Sequence, residues 1–236
     1  MSAVAGDTVL QSRILEDLAS ASRYRSWIVS MVATYASGLV LEIGSGTGDV
    51  AADLAASGVL VTASEADRDR LAALHRRFSD GPVQVRELQV PIEQDGDYAT
   101  VVAVNVLEHV PDDVGALRAF RRLLGPGGRV VLFVPAFEFA MSRFDEEIGH
   151  QRRYRAATLR DALEGAGFVV ERVHYVNSLG LLAWVVGMRL FRMRPSTGPA
   201  LRVWDSTVVP ILRRVESRWR PPFGQSVFAV ARNPVT

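Results

Sequence analysis

The chain has 236 residues, enough for one large domain or one domain with a modest insertion. Hydrophobic residues make up 48% and charged residues 22%, a balance that allows a buried core without disulfides or metal. The formal net charge is +1, which gives no overall field for nucleic acid. Because the sequence has no cysteine, it excludes disulfides, zinc–thiolate sites and thiol nucleophiles.

Neither end of the chain nor its interior predicts a membrane segment. Residues 1–8 lack the basic and then apolar order of a signal peptide. The most apolar stretch, residues 179–186, is far shorter than the about 20 residues that span a bilayer. We therefore expect a cytoplasmic protein with no integral membrane span. No basic stripe with interleaved aromatic residues is present, so no nucleic-acid partner is expected.

Apolar runs alternate with helical patterns through most of the chain, an order that predicts a parallel sheet covered by helices. A helical cover is expected at residues 1–36, with a leading helix at 9–35. Strands are predicted at 39–43, 60–64, 83–88, 100–104, 129–134, 168–175 and 226–231. Helices are predicted at 49–57, 68–78, 112–124 and 156–165, and a glycine-rich break at 125–128. Asp112 or Asp113 is expected to be the N-cap of the third helix.

Two segments do not follow this alternation. Residues 136–155 contain an acidic and then a basic cluster, and residues 177–223 are rich in Trp, Arg and Pro. Inserts of this kind usually lie over the carboxyl ends of the strands, where open α/β sheets bind ligands. We therefore predict a core at 37–135, a cap insert at 136–155, and C-terminal core strands at 156–236 that the second insertion interrupts.

The strongest motif is the sequence LVLEIGSGTG, in which a buried strand leads directly to Gly44, Gly46 and Gly48 and then to a helix. Glycines permit a tight turn and let a ligand approach the main chain closely. A dinucleotide site would require a glycine at the next position, where the pyrophosphate rests on the helix N-terminus. That position is Asp49, whose negative charge opposes phosphate. The loop therefore favours a ligand without phosphates.

Acidic residues stand at the ends of the first two predicted strands. Glu42 can hold the positive end of a zwitterionic ligand with a cationic sulfonium. Glu65 follows the glycine loop by about 20 residues, where an acidic side chain can accept both ribose hydroxyls of an adenosine. The alternative is that Glu65 caps the next helix beside Asp67. The spacing from Gly46 favours the ribose role.

These features resemble the successive motifs of class I S-adenosylmethionine-dependent methyltransferases. The resemblance extends from about residue 20 to 232 and includes a bacterial small-molecule subgroup with a Gly-His-x-Arg-Arg-Tyr cap motif. It implies an α/β, Rossmann-like fold: a seven-stranded, mostly parallel sheet with helices on both faces and a cap insertion. The matching segments are LEIGSGTG at 41–48, Glu65, NVLEHVP at 105–111, LGPGG at 124–128, YRSW at 24–27, VPA at 134–136, DEEIGHQRRY at 145–154, NSLG at 177–180 and FGQS at 223–226.

The resemblance also implies a cofactor, S-adenosyl-L-methionine, bound by the core. It places one group of residues on the methionine moiety: Glu42, Gly44, Ser45, Gly46, Gly48, Asn105 and Val106. It places Glu65 on the ribose and Ala66 on the adenine edge. Gln89 stands where many family members have Asp at the adenine amino group, and glutamine still offers an acceptor. Tyr24 and Trp27 are interpreted as an aromatic lid, with plain core packing as the alternative.

Catalysis of methyl transfer depends mainly on orientation, which is worth about 7–11 kcal/mol when the geometry is ideal. A base is needed only when the acceptor must lose a proton. His109 and His150 are the candidates, since an unperturbed imidazole titrates near neutrality. For His109 we favour the alternative that it braces its loop. For the cap, either Asp145 orients His150 while Tyr154 or an arginine contacts the acceptor, or the cluster is a salt-bridged hinge. No metal site is predicted.

The predicted function is methyl transfer to a small-molecule acceptor in bacterial secondary or cell-envelope metabolism. The alternatives are a non-methylating enzyme that uses the same cofactor, such as a cyclase, and a cofactor-binding regulatory subunit. Trp184, Met188 and Phe191 recur at helical spacing within residues 179–192. That segment could be core, an acceptor pocket, the face of a homodimer or a membrane-surface helix, and the pocket or the dimer face is preferred.

Overall fold

The structure is a computed structural model that describes residues 21–191 and 198–235. Within these ranges seven strands form one sheet, and β1 to β5 are parallel. The strands are β1 (Leu39–Ile43), β2 (Leu60–Glu65), β3 (Gln84–Glu87), β4 (Tyr98–Val104), β5 (Leu124–Pro135), β6 (Val169–Val176) and β7 (Ser226–Arg232). Their order is β3-β2-β1-β4-β5-β7-β6, with β7 antiparallel to both neighbours. The prediction of an α/β fold with a seven-stranded, mostly parallel sheet is confirmed.

Helices cover both faces of this sheet. They are α1 (Ser22–Ala33), α2 (Asp49–Ala56), α3 (Arg68–Arg77), α4 (Asp113–Leu123), α5 (Arg143–Glu147), α6 (Ala156–Gly165), α7 (Ser178–Trp184), α8 (Pro199–Val203) and α9 (Val209–Glu216). Short 3₁₀ turns occur at Leu107–His109 and Glu138–Ala140, and π-helical turns at Val185–Leu190 and Trp204–Val208. Asp112 is the N-cap of α4, because its Oδ1 accepts a hydrogen bond from the Gly115 N–H at 2.8 Å.

The leading helix and the glycine-rich segment were both predicted from the sequence. Of the leading helix predicted at 9–35, residues 9–20 lie outside the described residues. The glycine-rich segment 125–128 follows the end of α4 at Leu123, as predicted, but it already belongs to β5, which begins at Leu124. Its backbone is held on one side, where the Gly127 N–H donates to the carbonyl of Asn233 at 3.1 Å. The Asn233 N–H donates in return to the carbonyl of Gly128 at 2.8 Å, so the end of the chain fixes this segment.

The hydrophobic core has two halves, because strand side chains alternate between the faces of the sheet. In β5, Val130, Leu132 and Val134 point to one face, where they pack in the cluster that contains buried residues of α4 and α6. Val131 and Phe133 point to the other face and pack with residues of α1, α2 and α9. Each large apolar side chain that is fully buried contributes about 1.5–3 kcal/mol. Burial on both faces therefore fixes the sheet between its helices.

The cap insert folds back over the carboxyl edge of the sheet. The Tyr154 N–H donates to the carbonyl of Pro135 at 2.9 Å, and the Phe137 N–H donates to the carbonyl of Tyr154 at 2.8 Å. Both ends of the insert therefore meet at the end of β5. Between them, Ser142 is the N-cap of α5, and its side chain forms a capping box with Asp145.

The second insertion is helical and comprises α7, α8 and α9 in the described residues. Glu216 at the end of α9 ties the end of the insertion to its beginning, since its carboxylate accepts hydrogen bonds from the N–H groups of Asn177 and Ser178 at 2.8 and 2.9 Å. Leu179, Leu182 and Phe191 are exposed on this insertion. The side chains of residues 188–190, and with them the predicted role of Met188, lie outside the described residues.

A search of the described residues for membrane spans found no helix with the length and apolar content required to cross a bilayer.

Gly48 is required by packing as well as by its backbone conformation. It precedes α2 with φ at +81°, and an added Cβ would lie 2.7 Å from Leu74 Cδ2 and 2.7 Å from Phe78 Cε2. Gly58 has φ at +84°, but a Cβ there would have no atom within 4 Å. A left-handed conformation costs a non-glycine residue about 1–2 kcal/mol, and overpacking adds about 1–3 kcal/mol.

We expect Gly48→Ala to lower the free energy of unfolding by about 2–5 kcal/mol, the sum of these two penalties. The control Gly58→Ala is expected to lose only the backbone penalty of about 1–2 kcal/mol. Denaturant unfolding of both variants checks this. Equal losses would show that the packing of α3 against the loop does not constrain position 48.

Candidate active site

A cavity of about 430 Å³ opens at the carboxyl ends of β1 and β4. The chain leaves β1 towards β2 on one side and leaves β4 towards β5 on the other, so the strand order reverses between these neighbours. Open α/β sheets bind their ligands in the crevice that such a reversal creates. The volume lies within the range of small-molecule sites.

The structure brings most of the predicted site residues to this cavity. Those that line it are Tyr24, Glu42, Gly44, Ser45, Gly46, Glu65, Ala66, Gln89, Asn105, Val106, His109, Asp145 and His150. Gly48, Trp27 and Tyr154 do not line it. Residues that sequence reasoning did not assign to the site also contribute to the wall, among them Arg70, Phe144, Ile148, Arg153, Trp184 and Ser226.

The structure corrects two aromatic predictions. Trp27 is not part of a lid, because its indole is buried in the core beside Tyr24, with ring centroids 6.2 Å apart. Tyr24 itself reaches the cavity, and burial raises the pKa of its phenol. Tyr154 does not contact the cavity, because its buried hydroxyl donates to Asp113 Oδ2 at 2.9 Å. Its role is to fix the end of the cap to α4.

Glu65 braces the glycine loop. Its Oε2 accepts a hydrogen bond from the Gly46 N–H at 3.0 Å, which links the end of β2 to the loop after β1. Its Oε1 accepts from the Ala66 and Asp67 N–H groups at 2.9 and 3.0 Å, and from Arg70 Nη2 at 3.3 Å. Asp67 is the N-cap of α3, so the capping role considered for Glu65 belongs to its neighbour. Oε2 accepts one bond here and has the capacity for a second.

Glu42 presents a buried carboxylate to the cavity. Its Oε2 has no hydrogen-bond partner among the described residues. Burial, together with the nearby charge of Glu65, raises the pKa of Glu42 to about 7. A buried carboxylate oxygen without a partner is costly, and a cationic group of a ligand offsets that cost. The charge of Asp49, expected to oppose phosphate, is partly compensated because Arg77 Nη1 lies 2.8 Å from its Oδ1.

Asp145 connects several residues of the cap through hydrogen bonds and ion pairs. It is fully buried, and its Oδ2 accepts hydrogen bonds from the Ser142 N–H at 2.8 Å and the Ser142 hydroxyl at 2.6 Å. Arg153 donates to Oδ1 from Nη2 at 2.7 Å and from Nε at 3.2 Å. His150 Nδ1 lies 2.8 Å from the same oxygen, an ion-pair contact whose angle is outside hydrogen-bond geometry. Burial alone would raise the pKa of Asp145, but His150 and Arg153 outweigh it and hold the pKa at about 2.

Glu108, which sequence reasoning missed, lies between the two candidate histidines. The Gln151 N–H donates to the Glu108 carbonyl at 2.8 Å, so the cap is tied to the 3₁₀ turn after β4. His150 Nε2 is then 3.8 Å from Glu108 Oε1, and the rings of His109 and His150 are 4.7 Å apart at an angle of 79°. Burial raises the pKa of Glu108 to about 7, and burial with the charge of His150 lowers that of His109 to about 4. Glu108 stands next to His109 in the chain, and this adjacency was the sequence signal that could have identified it as a site residue.

His109 contacts its own loop, the cap and the cavity. Its backbone N–H donates to the carbonyl of Val106 at 3.0 Å, and its ring contacts the carbonyl of Gly149, so it braces the loop and the cap. The ring also lines the cavity.

Comparison with known proteins identifies the family. A family model described as a methyltransferase domain matches residues 17–173, about two thirds of the chain. The chain belongs to this methyltransferase family. The family assignment identifies S-adenosyl-L-methionine as the cofactor, and the orphaned carboxylate oxygen of Glu42 beside the glycine loop fits a ligand with a cationic centre.

A curated relative is the ubiquinone biosynthesis O-methyltransferase of Pseudomonas aeruginosa (strain LESB58), 37% identical over 98 residues. The match covers 39% of this chain and 42% of that protein, so the chain matches less than half of the relative's length.

Two solved structures share the fold at low identity. Haemonchus contortus phosphoethanolamine N-methyltransferase 2, in complex with S-adenosyl-L-methionine, has a TM-score of 0.59 at 15% identity, over 87% of this chain and 51% of that chain. The cyclase SpnF has a TM-score of 0.58 at 20% identity, over 89% of this chain and 80% of that chain.

The ion pair of Asp145 and Arg153 should stabilise the cap. We expect Arg153→Met to lower the free energy of unfolding by about 3 kcal/mol, because it leaves a buried carboxylate with one fewer cation. The matched control is Arg152→Met, whose partner Asp113 forms a partly exposed pair at 2.9 Å and should contribute at most about 1 kcal/mol. Denaturant unfolding checks both. Similar small losses would show that Ser142 and His150 suffice to hold Asp145.

Proposed function

We propose that this protein transfers a methyl group from S-adenosyl-L-methionine to a small-molecule acceptor in bacterial secondary or cell-envelope metabolism. The observation behind this proposal is that one cavity has two chemically different ends. Glu42, the glycine loop and Glu65 form the end at the sheet, and the cap forms the other. The resemblance of residues 145–154 to a small-molecule subgroup supports the acceptor class.

The residues at the sheet end would hold the cofactor. Glu42 would attract its cationic groups, and the loop from Gly44 to Gly46 would contact the methionine moiety through the main chain. Glu65 Oε2 would accept from the ribose, while Gln89 would meet the adenine. When bound, the cofactor supplies an electrophilic methyl group on a sulfonium. Because Glu65 already fixes Gly46, the loop needs little ordering on binding.

The residues at the cap end would select and orient the acceptor. Phe144, Ile148 and Trp184 give an apolar wall, and the Trp184 indole lies under the Arg153 guanidinium at 4.9 Å from its ring centre. His150 projects into the same space with its ring fixed against Asp145. An apolar wall with a few polar groups suits a small organic acceptor.

The Trp184 position favours the acceptor-pocket interpretation of the segment that follows β6. The exposed Leu179 and Leu182 of the same helix provide the surface on which a homodimer would form.

The relative from Pseudomonas aeruginosa is named for O-methylation in ubiquinone biosynthesis, which makes hydroxylated aromatic compounds the first acceptors to examine. The purified protein would be incubated with S-adenosyl-L-methionine and a panel of phenols, catechols, sugars and amines. Release of S-adenosylhomocysteine with a product heavier by one CH₂ supports the proposal, and Gly46→Val supplies the cofactor-deficient control. The fold shared with the cyclase SpnF motivates a second candidate, an isomerised product of unchanged mass.

His150 should act on the acceptor and not on the cofactor. We expect His150→Ala to leave cofactor affinity within about 1 kcal/mol. Turnover should fall at least tenfold, about 1.4 kcal/mol of transition-state stabilisation. The control is His75→Ala, an exposed histidine of α3 that should leave both quantities unchanged. Unchanged turnover in His150→Ala with loss in His109→Ala would assign the role to the other histidine.

Cofactor affinity should depend on pH through Glu42. Its raised pKa of about 7 means that the carboxyl is neutral below that pH and ionised above it. Attraction for the cationic cofactor is therefore present at pH 8 and is lost as the pH falls, by up to about tenfold per pH unit. Calorimetric titrations from pH 5.5 to about 8.5 check this, a window set around neutrality. Glu42→Gln should bind more weakly and without this component, and parallel pH profiles of the two proteins would contradict the assignment.

A further inference from the structure

Three potential metal ligands meet where the cap touches the sheet. Glu108 and His109 come from the 3₁₀ turn after β4, and His150 comes from the cap. One ligand atom from each residue lies within 4.8 Å of the other two. In a tetrahedral site with bonds of about 2.1 Å, ligand atoms are about 3.4 Å apart, so small side-chain shifts would close the cluster on an ion.

Among the described residues Glu108 has no hydrogen-bond partner that explains its burial, and its one ion-pair contact, His150 Nε2, is 3.8 Å away. Its side chain is fully buried, and neither carboxylate oxygen has a hydrogen-bond partner among the described residues. The nearby Arg153 guanidinium is already engaged by Asp145 at 2.7 Å. A buried carboxylate in this state is expensive unless it is paired or coordinates a metal. A cation at this point would satisfy both oxygens.

The histidines are oriented as metal ligands usually are. His150 has Asp145 Oδ1 at 2.8 Å from Nδ1, which places a carboxylate behind the ring and leaves Nε2 towards Glu108. A carboxylate behind a ligating imidazole is the common arrangement that fixes its tautomer. The His109 ring contacts the carbonyl of Gly149, while its buried Nδ1 has no partner in the described structure.

We propose that Glu108, His109 and His150 bind a divalent cation of the Zn²⁺ or Mn²⁺ class. Two imidazoles and one carboxylate suit first-row divalent metals. Three protein ligands leave a position open, as in catalytic sites, and both histidines line the cavity.

The metal site itself stands on the geometry above, whereas the role of the ion in catalysis rests on the proposed function. A cation beside the acceptor end would lower the pKa of an acceptor hydroxyl, as Zn²⁺ does for water. The hydroxyl proton passes to solvent. The oxygen lone pair forms the bond to the methyl carbon, while the carbon–sulfur bond breaks and its electron pair remains on sulfur. No oxidant or reductant is required. His150 would then activate the acceptor through the cation.

Metal binding can be tested without cofactor or acceptor. The full-length protein, freed of metal by chelation, is titrated with Co²⁺ and followed by its visible absorption, and with Mn²⁺ followed by electron paramagnetic resonance. We expect one ion per chain and a rise in melting temperature that depends on metal concentration. Glu108→Gln and His150→Ala should each weaken binding at least a hundredfold. Asp145→Asn, which removes the orienting charge, should weaken it about 10–100-fold.

The control His75→Ala changes an exposed histidine and should bind like the parent protein. Circular dichroism verifies that each variant is folded. If a variant does not fold, the parent protein still decides the question: no stoichiometric binding at millimolar metal overturns the proposal, as does equal binding by Glu108→Gln. Because these readouts need no turnover, metal binding without methyl transfer would refute the proposed function alone, and methyl transfer without metal binding would refute this inference alone.

Discussion

The buried carboxylate of Asp145 is the contact on which the arrangement of the site depends. It bonds to Ser142 at the start of α5 and pairs with Arg153 near the end of the cap. It also contacts the ring of His150, which lies between these two residues in the chain. Each of these partners lies in the cap, so one side chain folds the insert on itself. Burying an aspartate is costly, and only this number of partners keeps it ionised. The benefit is a cap whose one cavity-facing imidazole has a fixed position.

At the sheet end of the cavity, one carboxylate has hydrogen bonds to both of its oxygens and the other does not. Glu65 holds the Gly46 N–H, so the glycine loop is fixed by the neighbouring strand before any ligand enters. Glu42, in contrast, has an unpartnered oxygen. A rigid loop beside an unsatisfied charge favours a cationic ligand. Glu108 repeats this pattern at the cap end, where neither oxygen of a second buried carboxylate has a hydrogen-bond partner in the described part of the chain. Two buried carboxylates at or beside the cavity therefore have oxygens that a positively charged group would stabilise.

Local sequence patterns were sufficient for the sheet and for the cofactor loop. Alternating apolar runs gave every strand to within about two residues, except that β5 begins at Leu124, five residues earlier than predicted. The glycines at 125–128 do follow the end of α4 as predicted, but backbone hydrogen bonds to Asn233 hold them as the first part of β5. In the second insertion the sequence indicated helical spacing within residues 179–192 but predicted neither α8 nor α9, since these helices are short and α8 continues as a π-helical turn.

The sequence by itself determined the fold class, the glycine loop and the family, because these depend on short-range periodicity and on residues adjacent in the chain. Only the tertiary structure decided which side chains face the cavity. It removed Trp27 and Tyr154 from the site, because core packing and a hydrogen bond to Asp113 hold them elsewhere. It also brought His150 to Glu108 across more than forty residues, through a backbone hydrogen bond between the cap and the turn after β4. Contacts of that kind are fixed by the packing of the whole chain, and no local pattern records them.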